Sequence, residues 1–346
     1  MRVVELAGIG PAPFAGMSLA DLGADVIRVD RPVPSELSAA PPDQDVLNRG
    51  KRSAVLDLKD PDGTAALLRL VEDADVLLEG YRPGVMERLG VGPSVALKHN
   101  PRLVYVRLTG WGQDGPLSAT AGHEINYLAL TGVLGATGAA GAPPQVPMPL
   151  IGDYAGGGAY AVIGALSALF EASRTGRGQV VDVAMVDGVT HLLAATYSML
   201  GAGRWNDARG TNTLDGASPF YAVYETSDRQ WMSVGALENK FFATLLRELG
   251  IGRNEFDPAD QNDTEQWPRL RELLAGAFRT GTRDEWARHF ATSDACVAPV
   301  LGLREAAGHP HLATRGSVVT DGSSIQPGKA PRFVGPISGS ETVQHG

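Results

Sequence analysis

The chain has 346 residues, of which 43% are hydrophobic and 20% are charged, and its formal net charge is −9. This length suits a substantial core and, as a first expectation, about two domains. The negative charge argues against nucleic acid as a general partner, because a phosphate backbone requires a basic face. The single cysteine, Cys296, excludes a disulfide framework and a cysteine-ligated zinc site, and its apolar neighbours predict a buried, inert thiol.

No targeting segment or membrane span is predicted. The N-terminal "MRVVELAG" leads directly into a strand pattern and leaves no room for a signal peptide. No apolar run approaches the roughly 18 residues, free of charge and glycine, that a membrane span needs. These patterns favour a cytoplasmic protein with neither a membrane nor a nucleic acid as its partner.

The first third of the chain alternates between strand and helix patterns. The segments are 2–8 (strand), 13–24 (helix), 25–32 (strand), 60–74 (helix), 75–80 (strand) and 103–110 (strand). Alternation at this spacing predicts an α/β fold, with a mostly parallel, Rossmann-like sheet covered by helices.

The rest of the chain has different patterns. A long apolar helix is predicted to follow three clustered glycines and to end near Gly176, and 179–200 reads as a strand followed by a second buried helix. Two strands and three helices follow at 221–226, 230–237, 239–249, 268–280 and 282–294. We therefore expect a large α/β domain at 1–190 joined by the C-terminal segment 312–346, a linker at 191–219, and a small α+β domain at 220–311.

The glycines near the N-terminus imitate a dinucleotide-binding motif. Gly8 and Gly10 have the required spacing, and Asp30 ends the next strand. However, Pro13 stands where a third glycine would let the helix approach the strand closely. The pattern therefore favours an ordinary tight turn between strand and helix over a nicotinamide site.

His123 and Glu124 imitate the first half of a zinc-protease motif. Tyr127 occupies the position of the second histidine, so the pair of imidazoles that would bind zinc on one helix face is missing. His123 therefore needs another explanation, and so does Asp153, which precedes the clustered glycines. An isolated aspartate at such a position is most often a helix cap.

Basic residues are frequent in the N-terminal half of this acidic chain. They could line one pocket for an anion or be solvated separately, and composition alone does not decide between these alternatives. The series comprises Arg28, Arg31, Arg49, Lys51, Arg52, Lys59, Arg82 and Arg88.

Several longer motifs resemble those of one family. The segments "AGIGPAPFAGMSLADLGADVIRVDRP", "RGKRSAVLDLK", "LLEGYRPGVMERLG", "GHEINYLALTG", "GDYAGGG" and "GRGQVVDVAMVDG" resemble the family III CoA-transferase (CaiB/BaiF) superfamily. Within it, "RGTNTLDGASPFY", "VGALENKFF" and "SDACVAPVL" are similar to the α-methylacyl-CoA racemases. The resemblance extends from residue 2 to about residue 333, in the same order along the chain.

This resemblance implies a racemase or epimerase that interconverts (2R)- and (2S)-2-methylacyl-CoA thioesters through an enolate. Two acid/base groups must flank the α-carbon, and the family's histidine and aspartate match His123 and Asp153. The family glutamate that orients the histidine matches Glu238 in the small domain, so the site is expected where the domains meet. Backbone N–H groups after Gly152 are natural donors to the enolate oxygen.

The resemblance also implies a CoA-binding site and an interlocked homodimer. Apart from the CoA moiety of the substrate, no metal, nicotinamide or flavin is required. The family pattern for CoA binding carries over to Arg31, Leu56, Asp57, Leu58, Lys59, Gly80, Arg82, Arg88, Gly122, Glu124, Ile125, Asn126 and Tyr127. Cationic side chains would bind the phosphates, and backbone groups near Leu56 could bind the adenine.

One departure and two alternatives accompany this interpretation. Glu124 replaces the aspartate that is usual after the family histidine, which adds a methylene group beside the site. A CoA-transferase of the same superfamily would use Asp153 as a nucleophile through a mixed anhydride, and it would not need His123 as a second base. A non-catalytic acyl-CoA-binding protein would need neither residue. The motifs do not identify the physiological acyl chain.

Overall fold

The computed structural model of the chain describes residues 1–33, 41, 44–321 and 324–333. These residues form two units. The parallel-sheet unit consists of Met1–Ala121, Asp153–Met185 and the described residues from Leu303 onward. The antiparallel-sheet unit consists of Gly122–Gly152 and Val186–Gly302.

This division differs from the predicted domain boundaries at two places. Residues 122–152 belong to the antiparallel-sheet unit, although they were expected in the large domain at 1–190. The expected linker at 191–219 is also part of that unit. Of the C-terminal segment 312–346, residues 322–323 and 334–346 lie outside the described residues.

The strands are β1 Arg2–Leu6, β2 Asp25–Asp30, β3 Lys51–Val55, β4 Val76–Glu79, β5 Val104–Thr109, β6 Val180–Ala184, β7 Tyr221–Glu225, β8 Trp231–Gly235, β9 Val297–Pro299, β10 Val318–Asp321 and β11 Ser324–Pro327.

The helices are α1 Pro11–Asp21, α2 Pro61–Glu72, α3 Val85–Arg88, α4 Pro93–His99, α5 Glu124–Leu130, α6 Val133–Ala136, α7 Tyr160–Thr175, α8 Met185–Leu192, α9 Ala194–Gly201, α10 Asn239–Glu248, α11 Trp267–Phe278, α12 Arg283–His289, α13 Leu303–Ala307 and α14 Pro310–Arg315. A π-helical segment, Leu150–Ala159, leads directly into α7.

Six strands form the parallel sheet in the order β3-β2-β1-β4-β5-β6, which confirms the predicted Rossmann-like fold class. The central strands β4 and β5 are buried along their whole length, which suits near-continuous apolar sequences covered on both faces. The sequence patterns did not predict β3, the edge strand, because its "KRSAV" is polar and mostly uncovered. Parallel registers such as Val4 with Leu77 align the carboxyl ends of neighbouring strands along one edge of the sheet.

Helix α1 packs closely against β1 through a glycine. Glu5 of β1 is fully buried, and a methyl group added to Gly16 of α1 would overlap its Oε2 atom. Glu5 forms an ion pair with Lys51, with 2.6 Å between Oε2 and Nζ. The missing side chain at Gly16 thus leaves room for a charged group inside the unit.

The antiparallel-sheet unit has an apolar, largely aromatic core beside the sheet β7-β8-β9. Phe278 of α11 is fully buried and stacks on Tyr224 with 5.4 Å between ring centroids. Trp286 and Phe290 of α12 complete this cluster at 5.6 and 6.3 Å from Phe278. The expected strands and helices of the small α+β domain are therefore present.

The helices after residue 160 are less buried than their composition predicts. Ile163 and Phe170 of α7 are 58% and 66% exposed, and Leu192 and Tyr197 of α8 and α9 are 50% and 48% exposed. In the single chain, the helix expected to be buried is therefore partly exposed, and it divides into two helices around Leu193. Among the described residues, one helical stretch, Leu150–Thr175, is long and apolar enough to cross a membrane by length and composition. Core helices of soluble proteins pass the same test.

Cys296 is exposed, so its expected burial is wrong. Its φ of 54° places it in the left-handed region just before β9, and the neighbouring Ala295 takes the buried position instead. His309 is the N-cap of α14, and His311 lies within that helix.

Candidate active site

The strand order produces a switch point at one edge of the parallel sheet. Strands β1 and β4 are neighbours, but the chain continues from β1 to β2 on one side of this pair and from β4 to β5 on the other side. In open α/β sheets, ligands bind outside the carboxyl ends of strands at such a switch point. The loops that leave these two strands contain Gly8, Gly10, Gly80 and Arg82, so the sheet itself indicates this edge as a binding site.

Asp153 lies against the loop that follows β1. A methyl group added to Gly10, which has a φ of 67°, would come within 2.9 Å of the Oδ2 atom of Asp153. Gly10 is the N-cap of α1, where the helix dipole favours a negative charge. The structure therefore places the predicted aspartate at the switch point.

Asp153 is not the helix cap that isolated aspartates most often form. It lies inside the π-helical segment, in its first turn. Such widened turns are rare and frequently occur at functional sites. The segment packs on α1, because the rings of Phe14 and Tyr154 are 5.0 Å apart and a methyl group on Gly158 would meet Phe14 Cδ1 at 2.5 Å.

The basic series separates into two groups. Four of its members form ion pairs inside the parallel-sheet unit: Arg28 with Asp30, Arg49 with Asp21, Lys51 with Glu5, and Arg52 with Asp25. The other four, Arg31, Lys59, Arg82 and Arg88, have no ion pair within the described residues and are exposed. The idea of one pocket lined by all eight cations is therefore wrong, and four cations remain available for an anion.

Asp30, which ends β2, makes two contacts within the sheet. Its carboxylate accepts a hydrogen bond of 2.6 Å from Ser53 Oγ and is paired with Arg28 at 2.9 Å. A carboxylate in these two contacts stabilises neighbouring strands of the sheet.

A buried carboxylate shapes the turn after β4. Glu79 is fully buried, and its Oε2 accepts a hydrogen bond of 2.7 Å from the backbone N–H of Tyr81. Its Oε1 accepts from Nε of Arg107 at 3.1 Å. The guanidinium group of Arg31 lies 5.0 Å from the ring centroid of Tyr81, within cation–π distance. Gly80 and Arg82 flank Tyr81, so this turn brings three of the predicted CoA-binding residues together.

Three further predicted residues meet at a cavity of about 440 Å³ in the same unit. Leu58, Lys59 and Arg88 are among its lining residues, together with Pro61 and Leu89. Lys59 belongs to the turn before α2, where its backbone N–H donates to Asp57 Oδ1 at 3.0 Å. Leu56, the first residue after β3, donates its N–H to the backbone carbonyl oxygen of Asp30 at 2.9 Å.

His123 begins a second group of predicted residues, in the antiparallel-sheet unit. It is the exposed N-cap of α5, and its backbone N–H donates to Asn126 Oδ1 at 3.0 Å. The hydroxyl of Tyr127 donates to the carbonyl oxygen of Gly122 at 2.5 Å. Ile125 is 42% exposed. These local bonds hold the segment from Gly122 to Tyr127 in one turn.

The side chain of Glu124 is buried and reaches residue 152. It is only 8% exposed, and its Oε1 accepts a hydrogen bond of 2.9 Å from the backbone N–H of Gly152. The N–H of Gly152 is therefore already engaged, and the expected donors to an enolate oxygen would have to come from later residues. Sequence patterns gave no sign of this contact between residues so far apart in the chain.

Glu238, the third predicted catalytic residue, is the exposed N-cap of α10 in the antiparallel-sheet unit. His123 belongs to the same unit, whereas Asp153 belongs to the parallel-sheet unit. Sequence reasoning did not identify Glu79 and Tyr81 as residues that shape the site, although a carboxylate at the end of the buried strand β4 is unusual. Within the described residues, no cluster of three or more histidine, cysteine or acidic side chains could hold a metal ion.

Comparisons with known proteins show similarity to one family. The sequence model of CoA-transferase family III matches residues 1–344. The chain is 46% identical to an alpha-methylacyl-CoA racemase of Mus musculus over 332 residues, which are 96% of this chain and 85% of that protein. It is 45% identical to an alpha-methylacyl-CoA racemase of Homo sapiens with the same coverage. A crystal structure of a CAIB/BAIF family protein from Brucella suis superimposes with a TM-score of 0.83 at 27% identity, covering 97% of this chain and 92% of that one.

Proposed function

The chain belongs to CoA-transferase family III, and we propose that it catalyses the racemisation of 2-methylacyl-CoA thioesters. One observation carries the proposal: 45–46% identity, over 96% of the chain, to two proteins named alpha-methylacyl-CoA racemase. The arrangement of residues at the sheet edge is consistent with this activity, since it offers a carboxylate and unpaired cations at one switch point.

The proposed reaction moves a proton from one face of the α-carbon to the other. His123 removes the α-proton, and the electrons of the C–H bond pass into the thioester carbonyl to form an enolate. Protonated Asp153 then donates a proton to the opposite face, and the electrons return to form the new C–H bond. The reverse direction exchanges the two roles, so both groups must be able to hold a proton.

Two further roles belong to the proposal. Glu238 orients the imidazole of His123, as the family pattern implies. Backbone N–H groups in the glycine-rich turn after Gly152 stabilise the enolate oxygen. Because the N–H of Gly152 already donates to Glu124, this role falls to the residues that follow it.

The CoA moiety is proposed to bind through the four cations that lack an ion pair within the described residues. Arg31, Lys59, Arg82 and Arg88 bind the phosphates, since guanidinium and ammonium groups suit phosphate oxygens. Lys59 and Arg88 support this assignment because they line one cavity. Backbone groups at 56–59 bind the adenine, and backbone groups of 122–127 contribute near the thioester.

We also propose that the protein acts as a homodimer in the cytoplasm and needs no metal or redox cofactor. Exposed apolar side chains on α7 and on α8–α9, such as Phe170 and Tyr197, support association with a second copy. Light scattering after gel filtration should give twice the chain mass of 36.3 kDa. Activity should persist after treatment with a chelator.

One experiment separates the racemase from the transferase. A single enantiomer of a 2-methylacyl-CoA is incubated with the protein in D2O without any acceptor acid. The proposal expects deuterium at the α-carbon together with loss of optical purity. Transfer of CoA to an added free carboxylic acid, without deuterium at the α-carbon, would instead support a transferase with Asp153 as nucleophile. Binding of the thioester without either reaction would support a non-catalytic protein.

The role of His123 is tested by His123→Ala. Loss of the second base should lower kcat for racemisation by about 10²- to 10⁴-fold, the usual contribution of acid–base catalysis. His99→Ala is the matched control, because His99 is a surface residue of α4 that contacts Glu72. His123→Ala with nearly unchanged activity would remove this residue from the mechanism.

A further inference from the structure

A buried carboxylate outside the proposed proton-transfer pair connects two segments of the antiparallel-sheet unit. Glu124 is 8% exposed, and its Oε1 lies 2.9 Å from the backbone nitrogen of Gly152. Burying a carboxylate is costly unless hydrogen-bond donors compensate it. The Gly152 N–H is such a donor, so this contact is one reason why the side chain can be inside the protein.

The same contact satisfies a helix end. Gly152 is the third residue of the π-helical segment Leu150–Ala159. The first N–H groups of a helix have no carbonyl partner within the helix. Glu124 supplies the missing acceptor from a different element, and its negative charge suits this positive end.

Gly152 lacks the side chain that would collide with Glu124. A methyl group on Gly152 would come within 2.9 Å of Glu124 Cγ and 3.2 Å of its Cδ, which is closer than van der Waals contact allows. A residue with a side chain at 152 would therefore displace the carboxylate. The absent side chain and the hydrogen bond are two independent features of one contact.

We propose that Glu124 is a positioning residue for the reaction: its carboxylate holds the backbone that precedes Asp153, while its own backbone follows His123. This inference rests on the proposed function. His123 directly precedes Glu124 in the sequence, and Asp153 directly follows Gly152. Loss of the contact releases the start of the π-helical segment, and small misplacements of catalytic groups reduce rates strongly.

The first test compares two substitutions of Glu124. Glu124→Gln keeps an oxygen acceptor of the same length and should keep kcat within about threefold, whereas Glu124→Met removes the acceptor and should lower kcat roughly 10²-fold, with KM changed by less than about threefold. Thr131→Val is the matched control on the same helix, since Thr131 Oγ1 donates to the Tyr127 carbonyl oxygen at 3.0 Å. Equal losses in the Gln and Met variants would overturn the proposal, because they would mean that the charge itself matters.

A second test approaches the contact from the other side. Gly152→Ala keeps the N–H but displaces the carboxylate, so it should lower kcat about as much as Glu124→Met. The double variant Glu124→Met/Gly152→Ala should be little worse than either single variant, since both break the same contact. Independent, multiplying losses would contradict the proposal.

A measurement without substrate separates this inference from the proposed function. Amide hydrogen exchange, resolved at Gly152 by mass spectrometry with fragmentation, should be slow in the unsubstituted protein and in Glu124→Gln. It should be faster in Glu124→Met, while amides of β7 and β8 are unchanged. Unchanged protection in Glu124→Met would overturn the positioning role even if racemisation is found. If the D2O experiment shows no racemisation, the proposed function fails, whatever the exchange at Gly152.

Discussion

The two units of the protein build their interiors from different side chains. The interior of the parallel-sheet unit contains charged groups, including Glu5 paired with Lys51 and Glu79 paired with Arg107. An apolar cluster in the antiparallel-sheet unit is rich in aromatic side chains, and Phe278 and Phe242 are fully buried within it. Buried ion pairs are expensive to assemble and aromatic clusters are not. The two interiors should therefore respond to different perturbations.

The two kinds of interior side chain have different structural roles. Carboxylates at or near the ends of parallel strands can fix the turns that form the binding edge, as Glu79 does by accepting the N–H of Tyr81. The aromatic cluster stabilises the sheet β7-β8-β9 and the helices packed on it. The ion pairs inside the parallel-sheet unit thus contribute to the shape of a site, and the aromatic cluster contributes to stability. In the antiparallel-sheet unit, the buried carboxylate of Glu124 lies outside this cluster.

The largest effect is expected from Phe278→Ala. Removing this fully buried ring deletes its contacts with Tyr224, Trp286 and Phe290 and should lower the free energy of unfolding by about 3–5 kcal/mol. Tryptophan fluorescence during urea unfolding should report this loss, because only Trp111 of the five tryptophans lies outside the antiparallel-sheet unit. Phe278→Leu, which leaves a smaller cavity, should cost less. A loss in Phe278→Ala below about 1 kcal/mol would contradict the importance of this cluster.

A smaller effect is expected from Lys51→Met in the parallel-sheet unit. This substitution leaves the carboxylate of Glu5 buried without its partner, which should cost about 3 kcal/mol. The double variant Glu5→Leu/Lys51→Met removes both charges and should recover most of this stability. Hydrogen exchange in peptides from β1 and β2, compared with β7 and β8, measures the change in each unit. Equal destabilisation in the single and double variants would show that the ion pair is unimportant.

Much of the fold could be predicted from local patterns. The apolar runs of β1, β4 and β5 and the glycine signal at Gly176 mark their elements because burial and backbone conformation depend on nearby residues. The edge strand β3 was missed because its side chains are polar and uncovered. The exposure of Cys296 was also missed, since it depends on a left-handed φ of 54° that its apolar neighbours do not indicate.

Features of the candidate site that depend on the type of a residue could be predicted from the sequence. Features that depend on a contact between residues distant in the chain could not. The positions of Lys59 and Arg88 at one cavity agree with their prediction as CoA ligands, which stays a prediction. Lys51 is paired with Glu5, which is distant in the sequence. No periodicity in the sequence could therefore have distinguished Lys51 from the cations that have no ion pair within the described residues. The contact between Glu124 and Gly152 is of the same kind.

The smallest of the three effects is a dependence on pH that should be confined to the parallel-sheet unit. Burial raises the pKa of Glu5 from 4.5 to about 7, although Lys51 acts in the opposite direction. Between these two values the folded state binds more protons at Glu5 than the unfolded state does. The contribution of Glu5 to stability is therefore fully present below about pH 4.5 and is lost as the pH rises toward 7. The free energy of unfolding should thus fall more between pH 5 and pH 7 than it does in Glu5→Leu/Lys51→Met. Burial also lowers the pKa of Lys51, which makes the folded state gain stability as the pH rises, so the comparison is confined to the acid side of pH 7. The double variant removes this pair while keeping every histidine, so a parallel pH dependence in the two proteins would assign the titration to other groups.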